Sequence, residues 1–547
     1  GAQDAATIGQ DILVATALQL PLQLVLARAG PDEMGVRVDE TGNDNLAARV
    51  YGFGVGVVEL APHLDDAAVA NRDVAAGVQF DASHRVARQR RIRCGGRSDL
   101  RRTLQQQHGR PEREAIKPAG VADWMLEMAQ FRDSPAAIFA DLERRGLDRT
   151  AAETVIAADE RWRSLIDEGN KLRSDRNRIS REIGAAKKAG DDAEPLLEQM
   201  QALKSRLPQL EQETAAALAE RDAARMRVPN LLDEAVPQGD GPGGNVELAQ
   251  HGDRSDFGFE PKSHNELLET LAGADLERAA KIAGRRFYFL TGGLARLELA
   301  LVNYAVELLA ERGYEPVVPP FVMNREAYEG VVDLGDFEEV MYKIEDHDLY
   351  LIATSEHPLT ARFRDEILEP KSLPLKFCGL STNFRREVGA HGLSDRGIWR
   401  VHQFAKVEQV VICKPEDSAA LHEELLQNAV DLLARLELPF RVVEMCTGDI
   451  GTVAARKFDL EAWMPSVGEW KEVVSASNCT AYQSVRLNMR YRTPDGTATP
   501  HTLNATGIAT TRTLAAILEN CQRADGSVAI PKPLRKWMGD AEALLPA

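Results

Sequence analysis

At 547 residues the chain is too long for one compact core, so two to four domains are expected. Its 44% hydrophobic and 27% charged residues are those of a globular protein, and a net charge of −18 excludes a uniformly basic surface. Any contact with nucleic acid must then use a local basic patch. No stretch supplies the ~20 apolar residues of a bilayer span. The nearest, Ile12 to Ala27, is broken by glutamines and follows Asp11, so no membrane association is expected. Six scattered cysteines, none in a CxxC pair, read as reduced thiols of a cytoplasmic protein and give no zinc site.

In chain order, residues 1–123 hold one lysine, Lys117, an arginine-rich run from Arg88 to Arg93, frequent glycine and no sustained periodicity. They read as a poorly ordered or non-native upstream extension and receive no function; an RNA-binding arm is the alternative. Met125 and Met128 lie where patterning begins, and either would serve as a start.

Residues 124–236 carry a different pattern. Trp162, Leu165, Gly169, Leu172, Arg176, Ile179 and Ile183 fall at alternating three- and four-residue steps. After Ala189-Gly190-Asp191-Asp192 the steps resume at Leu196, Met200, Leu203, Leu207, Leu210, Thr214 and Ala217. This predicts two long helices in an antiparallel coiled-coil hairpin, with Pro195 in the first turn of the second helix and Pro229 beyond its end. Between Asn170 and Gly190 lie seven basic residues, Lys171, Arg173, Arg176, Arg178, Arg181, Lys187 and Lys188, against Asp175 and Glu182. Such a run is either a solvated face or an RNA grip. Residues 237–258, rich in Gly, Pro and Asp, read as a linker.

Residues 259–540 alternate helices and short β-rich runs irregularly, including Glu315 to Val318, Val407 to Cys413 and Arg441 to Met445. That pattern predicts an α+β domain on an antiparallel sheet flanked by helices, and no Walker A or GxGxxG loop is present. Four groups of residues carry potential chemistry. They are Thr354-Ser355-Glu356-His357-Pro358; Phe384-Arg385-Arg386-Glu387 with the later Val401-His402-Gln403-Phe404; Lys471-Glu472-Val473-Val474-Ser475; and Leu503-Asn504-Ala505-Thr506-Gly507, running through Arg512 into a helix. Each alone has an ordinary structural explanation: a helix cap, a surface ion pair, a polar strand or a small-residue helix start.

Together and in this order they resemble the class II aminoacyl-tRNA synthetases, the seryl enzymes in particular, over about Trp124 to Met538. The run from Gly313 to Pro320 is similar to the first class motif, a helix and strand at a homodimer interface. FRRE with VHQFAKVE resembles the second, and NATGIATTRT the third; TSEHPLT and EVVSASNC resemble segments distinctive of seryl enzymes.

The resemblance implies an ATP site of Arg385, Arg386, Glu387, Val401, Phe404, Glu472, Val473, Val474, Ser475 and Arg512. Arg385, Arg512 and Glu472 would be catalytic: Arg385 on the α-phosphate and Arg512 over adenine and on the γ-phosphate, with Glu387 reading the adenine amino group. Glu472 and Ser475 would hold Mg²⁺. L-Serine would meet Thr354, Ser355, Glu356, Arg385, Glu408, Asn504 and Thr506, and the hairpin's seven basic residues would grip tRNA(Ser), with tRNA(Sec) as a further substrate. His391 and Arg396 are candidates for acceptor-end contacts. Thr511, Ala505 and Leu393 depart from the family pattern, standing where glycine, glycine and a basic residue are common. The implied activity is serine–tRNA ligation. Its rivals are a relative that charges a carrier protein, which would lack the hairpin, and an inactive RNA-binding paralogue, which would have lost Arg385, Glu387, Glu472 or Arg512.

Overall fold

The computed structural model describes residues 128–333, 340–387 and 397–547, together with the backbone of three short strands nearer the N-terminus. The chain divides into two units, Gly1–Ile116 and Lys117–Ala547. Of the first, Gly35–Val38, Ala48–Gly52 and Val55–Glu59 form an antiparallel meander. The rest of the extension, including the arginine run, lies outside the described residues, as does Met125, whereas Met128 opens the first helix of the second unit.

In the second unit two short helices, α1 (Met128–Asp133) and α2 (Pro135–Arg144), lead into α3 (Thr150–Ala189) and α4 (Glu194–Arg225). The last two are the expected hairpin, about 60 and 48 Å long at ~1.5 Å per residue. Gly190 ends α3 with φ 81°, the left-handed geometry that lets the chain reverse. All seven predicted seam positions of α4 are buried or half-buried. In α3 six of the seven are, whereas Arg176 is exposed, because its guanidinium stays in solvent while its neighbours pack. At the hairpin's base Phe131, Ile138, Leu142, Val155 and Val228 form one apolar cluster with Tyr482. Buried Asp159 is held there by Arg132 at 2.7 Å and Arg163 at 2.9 Å.

The remainder is built on one eight-stranded sheet. Its strands are β1 (Val246–His251), β2 (Glu315–Val317), β3 (Leu375–Phe384), β4 (Gln403–Cys413), β5 (Phe440–Glu444), β6 (Arg456–Met464), β7 (Glu469–Asn478) and β8 (His501–Ala509). Their order is β1-β5-β6-β7-β8-β4-β3-β2, antiparallel except for the edge pair β2–β3. This is the expected α+β layout, with one correction. Residues 237–258 are not merely a linker: β1 pairs with β5 and extends the sheet, and Gly239 and Gly244 pack so closely on Cys446 that an added Cβ would meet its sulfur at 2.8 and 3.1 Å. A glycine-rich composition there serves close packing as well as turns.

One face of the sheet is covered by α5 (Gly292–Glu311), α7 (Ser418–Arg435) and α9 (Thr510–Asn520), whose Leu297, Leu301, Leu425, Leu432 and Leu514 join Val407, Val411, Val474 and Ile508 in the main core. The other face carries α6 (Glu356–Ala361) and α8 (Tyr482–Arg486), and between them a cavity. Because strand side chains alternate, residues one apart on β4 divide between core and cavity.

Candidate active site

A cavity of about 500 Å³ opens on the sheet face away from the main core. Period-two alternation on β4 brings Phe404, Lys406 and Glu408 to it. On β7, Glu472 and Ser475 are three residues apart and would face opposite ways in a regular strand. A register shift against β6, where Leu460 pairs with Val474 but Glu461 with Glu472, leaves Val473 as the extra residue and returns both to the cavity. A second shift on β8 skips Gly507 between Thr506 and Ile508. Asn504 and Thr506 then line the cavity, and so do Ala509, Thr511 and Arg512 beyond the bulge. A Cβ on Gly507 would approach the Val407 carbonyl to 3.2 Å, so the tight bulge favours glycine.

Arg385 directly follows β3, with its Nε on the Ala353 carbonyl (3.3 Å) and its guanidinium 5.3 Å from the Phe404 ring centre. Glu387 accepts from Arg400 at 3.1 Å, and Arg286 donates to its carbonyl at 2.7 Å. Arg512 donates to the Glu472 carbonyl (2.9 Å), lies 3.3 Å from its carboxylate, and sits over Trp399. Burial works against ionisation of Glu472, but Arg512, Lys457 and Arg385 outweigh it and hold the carboxyl below its ordinary range. The cavity wall is thus charged in a fixed pattern, cations around Arg385 and Arg512 with an ionised carboxylate between.

The deeper part is a carboxylate pair with a lysine. Lys406 Nζ is 2.6 Å from Glu408, both nearly fully buried. Glu356 accepts from Gln483 at 2.9 Å; burial and the facing Glu408 push its carboxyl up to about 7, against the Gln483 hydrogen bond, Lys406 and Arg385. Its neighbour His357 is held neutral, pushed down to about 3 by burial, Lys406 and Arg385. Thr354 closes this end, its hydroxyl accepting from the Glu356 amide at 3.2 Å.

Of the residues singled out in the sequence, the cavity gathers Thr354, Glu356, Arg385, Glu387, Val401, Phe404, Glu408, Glu472, Val473, Ser475, Asn504, Thr506 and Arg512. Three stand elsewhere. Ser355 turns its hydroxyl to the Gly379 carbonyl (3.2 Å) and is fully buried. Arg386 is exposed, its amide donating to the Val340 carbonyl. Val474 alternates away into the main core. Thr511 is buried at the start of α9 and faces the cavity. His391, Leu393 and Arg396 lie outside the described residues. The sequence reading missed Lys406, Trp399, Cys479 and Gln483. Lys406 was within reach, since it stands two residues from both Phe404 and Glu408 on one strand.

The seven basic residues of the hairpin are all exposed. Arg173 pairs with Glu211 (3.3 Å) and Arg178 with Asp175 and Glu182 (3.0 and 3.2 Å); among the described residues Lys171, Lys187 and Lys188 form no ion pair.

Comparison with known proteins agrees with this geometry. The family model of the seryl-tRNA synthetase N-terminal domain matches residues 125–232, and that of the class II tRNA synthetase core domain (G, H, P, S and T) matches 340–521. The serine–tRNA ligase of Methanoregula boonei is 51% identical over 427 residues, 77% of this chain and 100% of that protein; the one from Thermococcus onnurineus is 43% identical over 447 residues, covering 77% and 98%. Among solved structures, seryl-tRNA synthetase from Pyrococcus horikoshii complexed with ATP superposes with a TM-score of 0.75 at 42% identity, covering 77% of this chain and 100% of that one. The cytoplasmic serine–tRNA ligase of Naegleria fowleri in complex with AMP gives 0.71 at 34%, covering 77% and 99%. The chain belongs to the seryl-tRNA synthetase family.

Proposed function

We propose that the chain is a serine–tRNA ligase: it activates L-serine with ATP to seryl-adenylate, releasing pyrophosphate, and passes serine to the terminal ribose hydroxyl of tRNA(Ser), with tRNA(Sec) as a further substrate. The observation that carries this reading is the convergence, in one cavity, of an Arg385–Arg512 cation pair with the buried Glu356–Glu408 carboxylate pair. The relatives' complexes with ATP and AMP support an adenine nucleotide as a ligand of this chain. Adenine would lie on Val401 and Phe404 beside Glu387. Arg385 would hold the α-phosphate, where charge grows as the serine carboxylate attacks in line, so fixed guanidinium donors there stabilise the transition state. No residue need act as nucleophile; positioning and charge neutralisation suffice.

The two carboxylates suit a substrate with an ammonium and a hydroxyl donor, and Thr354, Thr506 and Asn504 complete a small polar pocket. A site that hydrogen-bonds a hydroxyl rejects alanine strongly, while threonine is excluded by volume. Glu472 and Ser475 present hard oxygens on one cavity face. Such donors suit Mg²⁺, which takes one or two protein oxygens and completes its shell with phosphate and water, and would there neutralise the triphosphate.

The arm's exposed lysines and arginines would grip tRNA by shape and phosphate. A homodimer fits the exposed apolar Leu299 of α5 and Val318 at the edge strand β2, which a second copy would cover. Among the described residues no helix is long and apolar enough to cross a membrane, and a cytoplasmic site is the natural one for this reaction. The carrier-protein reading is disfavoured by the long hairpin itself. Serine-dependent ATP–pyrophosphate exchange, compared with threonine and alanine, tests the proposal; folded protein without serine-dependent exchange sinks it.

A further inference from the structure

We propose that Gln483 of α8 is a positioning residue of the amino-acid pocket, fixing the direction in which the Glu356 carboxylate is presented to the substrate. This rests on the serine reading above. Gln483 lies behind the cavity wall, almost fully buried, and touches two residues that line the cavity, Val331 and Glu356. Its Nε2 donates to the Val331 carbonyl at 3.1 Å and to Glu356 Oε1 at 2.9 Å, and its Oε1 accepts from the Thr502 hydroxyl at 2.7 Å. The Val331 carbonyl can only accept. A flipped amide would therefore set its oxygen against both that carbonyl and the carboxylate. The Gln483 orientation is thus dictated by backbone, and the second N–H has nowhere to point but Glu356.

The consequence is an immobilised carboxylate. One oxygen of Glu356 is committed to Gln483, so the other is left for serine. The anchors of the amide come from separate parts of the fold, the segment before residue 334 and strand β8, so the geometry survives small movements of α6. The charged and titratable groups around Glu356 are Glu408 and Lys406 from β4, Arg385 directly after β3, Cys479 after β7 and Tyr328. Burial and Glu408 favour protonating Glu356; Gln483 is the neutral donor that opposes them, together with Lys406 and Arg385. Losing that donor should both loosen the carboxylate and protonate it at neutral pH.

The test is serine-dependent ATP–pyrophosphate exchange across pH 5.5–9, a range bracketing the Glu356 value of about 7, on full-length wild type, Gln483→Met and Thr502→Val. Gln483→Met keeps the volume and removes the donor. It should raise the KM for serine roughly tenfold, as expected for a lost hydrogen bond to a charged group, leave the KM for ATP unchanged and move the acidic limb of kcat/KM for serine to higher pH. Thr502→Val, which removes only the anchor on the amide oxygen, should move the same quantities in the same direction by roughly two- to threefold. A Gln483→Met enzyme with wild-type serine KM and pH profile overturns the proposal. So does an equal rise in the KM for both substrates, which marks a scaffold role. If Gln483→Met does not fold, Thr502→Val decides: an unchanged serine KM and acidic limb overturn the proposal. Absence of serine-dependent exchange in the wild type is a different failure, that of the serine reading itself.

Discussion

The arm and the cavity use charge in opposite ways. On α3 the cations stand in water, and Arg178 is held above its ordinary range by hydrogen bonds to Asp175 and Glu182. In the cavity Arg385 and Lys406 are pulled below their ordinary ranges by burial, and Glu356 is pushed above its own. Exposed charges are screened, individually weak and effective as a field; buried ones act singly and at short range. The arm is therefore suited to holding a long polyanion loosely, and the cavity to stabilising one transition state.

The sharpest way to break that contrast is to remove one buried cation. Arg385→Ala should lower the rate of serine-dependent exchange by at least about 10²–10³-fold, the scale for deleting a preorganised donor to developing charge. A rate within a fewfold of wild type, in protein with an unchanged melting curve, removes Arg385 from its assigned place. Charge removal on the arm should behave differently. Replacing Lys171, Lys187 and Lys188 together by alanine should leave exchange untouched, weaken tRNA charging by roughly tenfold or more, and flatten the salt dependence of tRNA binding by up to about one log unit per lysine. Arg178→Ala, already neutralised by Asp175 and Glu182, should have the smaller effect. Equal effects from the paired and unpaired cations would show that the ion pairing on α3 does not govern RNA contact.

The third expectation concerns stability. Glu356 releases its proton near pH 4.5 when unfolded and near 7 when folded, so between those values the folded chain holds a proton that the unfolded chain has lost. Stability then falls as pH rises through this window. Glu356→Gln keeps the volume and removes that penalty; it should raise stability at pH 8 by about 1–3 kcal/mol while abolishing serine activation. At pH 4 the two proteins should melt together within about 1 kcal/mol. A variant that is destabilised at pH 8 would show that Glu356 is held by more favourable contacts than Gln483 and Lys406 provide.

The same contrast explains what could be read from the sequence. The arm was legible because its fold is local: a three-four repeat, a glycine and two prolines specify both helices and the turn. Arg176 was the one misplaced seam residue, since a long side chain can occupy a seam position and still leave it. The site was legible as motifs, but its geometry was not. Nothing in Lys471-Glu472-Val473-Val474-Ser475 announces that a bulge at Val473 turns Glu472 and Ser475 the same way, and alternation alone would have separated them. Arg386 and Ser355 sit inside recognisable motifs yet face solvent and the Gly379 carbonyl. Gln483 lies more than 100 positions from Glu356 and could be found only through tertiary contact.

The smallest expected effect isolates the local character of the arm. Gly184 and Gly190 stand six positions apart on and after α3, and a Cβ at either meets nothing within 4 Å. Packing therefore cannot distinguish them, and backbone conformation alone should. Gly184 is helical, so Gly184→Ala should stabilise the hairpin by about 0.5–1 kcal/mol. Gly190 has φ 81°, where an L side chain is strained, so Gly190→Ala should destabilise it by about 1 kcal/mol. Hydrogen exchange of the α3 and α4 amides in the full chain reads both signs directly. Neither substitution should alter serine-dependent exchange, because no part of the cavity depends on the tip of the arm. If Gly190→Ala slows exchange chemistry as well as loosening the tip, the two regions are mechanically coupled and the division of labour between them is not clean.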